Sequence, residues 1–63
     1  SFHAILDEVR KELLLLYLAD TGIPLKDVAH RLGFADQSSF TRAVHRWHGQ
    51  APKSMRLSLN LQV

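Results

Sequence analysis

The chain has 63 residues, 46% of them apolar, no cysteine and a formal net charge of +2. That length allows one small domain burying about 60% of its unfolded surface, and the apolar share excludes a disordered segment. Disulfides and thiolate metal sites are excluded, and the longest apolar run, residues 13–19, falls well short of the roughly 20 residues that cross a bilayer. The chain opens on Ser1 with no signal-peptide pattern, so it is expected to be a piece of a longer protein.

The pattern predicts an all-α fold: a small homeodomain-like bundle of about four helices with a helix-turn-helix. The first helix is predicted over 3–20. Leu6, Val9, Leu13, Leu16 and Tyr17 recur at three- and four-residue steps and predict an inward stripe. Leu14, Leu15 and Leu18 add a second apolar face, which is expected to meet something outside this chain. Glu8 and Glu12 suit surface pairing with Lys11.

Asp20-Thr21-Gly22 reads as a turn. Pro24 suits the first turn of a second helix over 24–32, with Leu25, Val28, Ala29 and Leu32 inward. Gly33 ends it where the chain needs a left-handed residue. A third helix is predicted over 36–48, with Asp36 as N-cap accepting from the Ser39 N–H. Phe40, Ala43, Val44 and Trp47 form its inward face and Gly49 its stop. Pro52 opens a fourth helix over 52–59, with Met55 and Leu59 inward, and residues 60–63 are expected to fray.

Helices two and three together follow helix-turn-helix logic. Ala29 is small where the helices cross, Gly33 supplies the backbone angle and Phe34 plugs the corner. Phe40 comes seven residues after Gly33, which predicts a turn about one residue longer than the common one. The expected structural core is therefore Ala29, Gly33, Phe34, Phe40, Val44 and Trp47. The outward face of the third helix is Gln37, Ser38, Thr41, Arg42 and His45, side chains suited to base edges: Gln to adenine, Arg to guanine, Ser or Thr to several.

Charge follows the same division. Residues 1–20 hold Arg10 and Lys11 against Asp7, Glu8, Glu12 and Asp20, net −2. Residues 21–63 hold Lys26, Arg31, Arg42, Arg46, Lys53 and Arg56 against Asp27 and Asp36, net +4. No acidic residue occurs from Gln37 onward, whereas an ordinary solvated helix face mixes both signs. A basic face of this kind fits a polyanion, although a merely solvated face has the same composition.

The run IPLKDVAHRLGFADQSSFTRAVHRWHGQAPKSMR, residues 23–56, resembles the C-terminal signature of the AraC/XylS family of bacterial transcription regulators. The resemblance rests on Val28-Ala29, Leu32-Gly33-Phe34, Asp36-Gln37-Ser38, Phe40, Arg42, Arg46-Trp47, Gly49, Pro52 and Arg56. Residues 3–20, with Arg10 and the following leucines, resemble the linker helix that precedes it. The resemblance implies the linker helix and second helix-turn-helix of a two-unit DNA-binding domain, with double-stranded DNA as partner. The first unit and a sensing domain would lie elsewhere in the intact protein, which would act in the bacterial cytoplasm on the nucleoid, without cofactor or membrane. It places base contacts on Gln37, Ser38, Thr41 and Arg42. Phosphate contacts fall to Arg46, Lys53, His45 and Ser39. A linker of about 27 Å sets two units about one DNA turn (~34 Å) apart. Three positions depart from the family pattern: Met55 replaces a tyrosine, Val44 an aromatic, and Ala51 a small polar cap, the last weakening the fourth helix by about 1 kcal/mol.

Other chemistries fare worse. His45 and His48 are three apart on one helix, but a structural zinc site needs four ligands and nothing places His3 or His30 beside them. Asp36, Ser38, Ser39 and His45 make no catalytic set without a pocket or oxyanion hole, so no enzyme and no metal are expected. The alternative function is a protein-interaction or dimerisation module using the leucine-rich helix 3–20, with weak self-association through Leu14, Leu15 and Leu18.

Overall fold

The computed structural model describes residues 1–61 and contains four helices in that span: α1 (Phe2–Ala19), α2 (Leu25–Arg31), α3 (Gln37–His48) and α4 (Pro52–Asn60). Each end has a local cause. The Ser1 hydroxyl caps α1 by accepting from the Ala4 N–H at 3.3 Å. After α1 the Asp20 carboxylate accepts from the Gly22 N–H at 2.9 Å and folds the chain back. Pro24 is the N-cap of α2 rather than part of its first turn, and its carbonyl accepts from Asp27 and Val28. Gly49 closes α3 at φ +74°, the left-handed region where a side chain is strained. Asn60, expected to fray, is helical, and Leu61 is the C-cap of α4; residues 62 and 63 lie outside the described span.

The exit from α2 is a Schellman turn. Gly33, at φ +86°, donates to the His30 carbonyl at 3.0 Å, and Phe34 donates to the Ala29 carbonyl at 3.1 Å. This geometry demands glycine at 33. Gly33 is itself exposed, so its role is in the backbone and not, as expected, in the packed core.

The core joins all four helices: Leu14 and Leu18 of α1, Val28 and Ala29 of α2 with Leu32, Phe40 and Val44 of α3, and Met55 of α4. Phe34 and Trp47 are half-buried and pack against it. Phe34 meets Phe40 edge-on at 5.8 Å between ring centroids and Trp47 at a 56° tilt. Burial of each large apolar side chain contributes about 1.5–3 kcal/mol, so the five fully buried ones, Phe40, Leu14, Leu18, Val28 and Val44, dominate the stability.

The faces of α1 are the main correction. Leu14 and Leu18 are wholly buried, while Leu16 is 69% exposed and Val9 48%. The expected outer face thus contains the centre of the core: of Leu14, Leu15 and Leu18, the residues expected to self-associate, only Leu15 reaches the surface. Residues 13–19 are apolar all round, so periodicity there sets no phase. The unburied apolar stripe is Phe2, Ile5, Val9 and Leu16.

Candidate nucleic-acid interface

The site begins at the start of α3. Asp36 is extended, at φ −150°, and its carboxylate accepts from the Ser39 N–H at 2.7 Å. That bond satisfies one of the donors a helix leaves free at its N-terminus. The Ser39 N–H, then the Ser39 hydroxyl, and to a lesser degree Arg42 hold the Asp36 carboxyl below its ordinary value of 3.8. Asp36 therefore stays ionised, and the first turn of α3 is fixed.

The cap sets the phase of the helix. With Phe40, Ala43 and Val44 buried, the residues left outside are those of the opposite face. Gln37, Ser38 and Arg42 are exposed, Thr41 is half-buried, and the four line one open, shallow depression. Arg42 forms none of the ion pairs found among the described residues. Its Nη2 lies 3.4 Å from the Ser39 hydroxyl oxygen, a long hydrogen bond at best.

The expected phosphate contacts scatter more. His45 and Lys53 are exposed. Ser39 is half-buried and already engaged with Asp36 and Arg42. Arg46 is turned toward α1, its Nη2 3.9 Å from the Asp7 carboxylate and its guanidinium 5.9 Å from the centre of the Trp47 ring. Ala51, the N-cap of α4, makes no side-chain cap bond, so the amide donors at that end carry no side-chain partner there. Among the described residues no group of three or more His, Cys, Asp or Glu is placed to hold a metal, and no helix is long and apolar enough to cross a membrane.

Two arginines support this arrangement from behind, and sequence reasoning assigned neither a role. Arg10 donates to the carbonyls of Leu32 and Gly33. Arg56 donates to those of Tyr17, Leu18 and Asp20. Both serve helix C-termini, where carbonyls lack intrahelical partners and positive charge is favoured.

A cap, a Schellman turn and an outward polar face on the second of two crossed helices define a helix-turn-helix domain. The model for the helix-turn-helix domain matches residues 1–58, and the chain belongs to this family, in its AraC type. It is similar to the ornithine utilization regulator of Pseudomonas aeruginosa, 45% identical over 56 residues that cover 89% of this chain and 16% of the relative. It is also similar to the HTH-type transcriptional regulator VqsM of the same species, 32% identical over 60 residues covering 95% of this chain and 18% of that protein. The HTH-type transcriptional regulator VirS of Mycobacterium tuberculosis is 33% identical over 54 residues, 86% of this chain and 16% of its own length. The chain thus spans less than a fifth of these relatives. No solved structure matches it.

Proposed function

We propose that this chain is the second helix-turn-helix of a bacterial transcription regulator, together with the linker helix α1, and that α3 reads double-stranded DNA in the major groove. The observation that carries this reading is the outward face of α3. Gln37, Ser38, Thr41 and Arg42 stand together on a rigid, capped helix, and no acidic side chain follows on α3 or α4.

In this reading Arg42 pairs with guanine and Gln37 with adenine, each able to make two hydrogen bonds in the major groove. Ser38 and Thr41 take adjoining base edges. Lys53 and His45 contact phosphates and add affinity without sequence choice. Arg46 joins them by leaving Asp7, a half-buried partner 3.9 Å away. Ser39 supports Arg42 more than it reaches DNA. The first helix-turn-helix unit docks on the apolar stripe of Phe2, Ile5, Val9 and Leu16, and the sensing domain lies elsewhere in the intact protein. The chain is a binding module without cofactor or catalysis and works in the cytoplasm, where the chromosome is.

Fluorescence anisotropy with labelled duplexes tests this. Lys53→Ala should weaken binding to all duplexes and lower the slope of log K against log salt by about 0.9. Arg42→Ala should abolish preference for one base pair, with a loss of about 1–3 kcal/mol on the preferred duplex. Equal binding by wild type and both variants would end the DNA reading.

The exposed stripe on α1 favours a second use as a protein-docking surface. Association through it should resist salt, as apolar contact does, and should vanish in Leu16→Glu while DNA binding remains.

A further inference from the structure

We propose that Arg10 of α1 is a positioning residue for recognition: it fixes the turn between α2 and α3 and, through Phe34, the pose of the reading helix. This rests on the DNA reading above and adds a residue outside the reading face to its machinery.

The Schellman turn satisfies the carbonyls of Ala29 and His30. Those of Leu32 and Gly33, two and three residues beyond His30, are left for something else. Arg10 takes both: its Nε is 2.9 Å from the Leu32 oxygen and its Nη2 is 3.3 Å from the Gly33 oxygen. The same guanidinium lies 4.4 Å over the centre of the Phe34 ring, and Asp7, 3.7 Å from Nη1, steadies it from within α1. The fit is close, since a Cβ on Gly33 would stand 3.4 Å from Nη2. A planar group with five donors can meet two carbonyls and a ring face at once; an ammonium cannot.

Phe34 carries the effect onward. It packs on Phe40 and Trp47, two inward residues of α3. The start of α3 is therefore held by the Asp36 cap on one side and the Arg10–Phe34 stack on the other. Bidentate base contacts require N–H···O distances near 2.9 Å and nearly straight bonds. A helix that rocks on its turn loses them, whereas charge attraction to phosphates tolerates the movement. Arg10 thus governs sequence choice without touching a base.

The test uses the 63-residue chain with Arg10→Met, Arg10→Lys and Phe34→Leu. The last keeps an apolar plug but removes the ring under the guanidinium. Amide hydrogen exchange is measured on the free chains. Anisotropy is measured at several salt concentrations with a duplex that the wild type selects from a random pool and with a mixed-sequence duplex, at a temperature where circular dichroism shows each variant folded. Faster exchange over residues 33–37 is expected in Arg10→Met. Affinity for the selected duplex should fall about tenfold, within the range of one lost base contact, while the mixed duplex and the salt slope stay unchanged. Arg10→Lys should fold without restoring selectivity, and Phe34→Leu should lose selectivity in the same sense.

Retained selectivity in Arg10→Met, or in Phe34→Leu should the arginine variants fail to fold, would overturn the proposal while leaving DNA recognition by α3 intact. So would a slope lowered by about 0.9, because Arg10 would then be a phosphate contact itself. An equal loss on both duplexes would reduce it to a stabilising residue. A wild-type chain that selects no duplex would remove the DNA reading and this role with it.

Discussion

Arg56 of α4 donates its Nε to the carbonyl of Leu18 at 3.0 Å, tying the C-terminus of α1 to a residue 38 positions later in the chain. Its Nη2 reaches the Tyr17 carbonyl at 3.3 Å and the Asp20 carbonyl at 3.2 Å. Helix α1 has no basic residue in its own last turn, so α4 supplies the charge and the donors from outside. Arg56→Met keeps the apolar stem and removes all of this. It should cost about 1–2 kcal/mol, given net values of about 1.5–3 for hydrogen bonds to charged groups in less exposed settings. A urea titration followed by circular dichroism checks the value, and a loss below about 0.3 kcal/mol would mean that water replaces the clamp.

The two faces of α1 should respond oppositely to the same substitution. Leu14→Glu or Leu18→Glu places a carboxylate in the centre of the core and should unfold the chain. Leu18→Ala should cost about 2–5 kcal/mol, most of what a domain of this size holds at roughly 0.05–0.15 kcal/mol per residue. Leu16→Glu should leave the helical signal unchanged and raise solubility, because Leu16 is an exposed member of the stripe.

That contrast also marks what the sequence could and could not reveal. Three of the boundaries were legible because each depends on a residue with a local reason: Asp36 caps its own helix, and Gly33 and Gly49 take backbone angles that other residues resist. The inward face of α3 was legible because Phe40, Val44 and Trp47 alternate with polar residues. The inward face of α1 was not, because residues 13–19 are apolar at every phase, and only contact with α2 and α4 decides which leucines are covered. Gln37, Ser38, Thr41 and Arg42 could be grouped once the phase of α3 was known. The roles of Arg10 and Arg56 left no pattern, since their acceptors are backbone carbonyls 22–39 residues away.

The Asp36 cap should appear in the acid limb of stability. Its carboxyl titrates lower in the folded chain than the ordinary 3.8. The stabilisation is therefore fully present above about pH 3.8 and is lost as pH falls through the lower folded value. Asp36→Asn keeps a capping oxygen without the titration. Melting temperatures measured from pH 5 down to pH 2 should converge for the two proteins at the acid end, with wild type the more stable above pH 4. Parallel curves would mean that the cap owes nothing to the charge.

Asp7 stands within 4 Å of two guanidinium groups, 3.7 Å from Arg10 and 3.9 Å from Arg46. For Arg46 it competes with a phosphate. Asp7→Asn should raise affinity for a mixed-sequence duplex several-fold at low salt and steepen the salt dependence by up to about 0.9, the increment for one further phosphate contact. Unchanged binding would show that Arg46 plays no part in the interface.

The proposed function stands on α3 reading DNA through its outward face. The most direct measurement is an NMR titration of the isotope-labelled chain with duplex DNA at low salt, repeated with Arg42→Ala. The amides of Gln37 to Arg46 and those near Lys53 should shift, and the shifts should shrink in the variant and at high salt. If those amides stay in place, or if only α1 responds, α3 is not a groove reader and the chain is a protein-docking module.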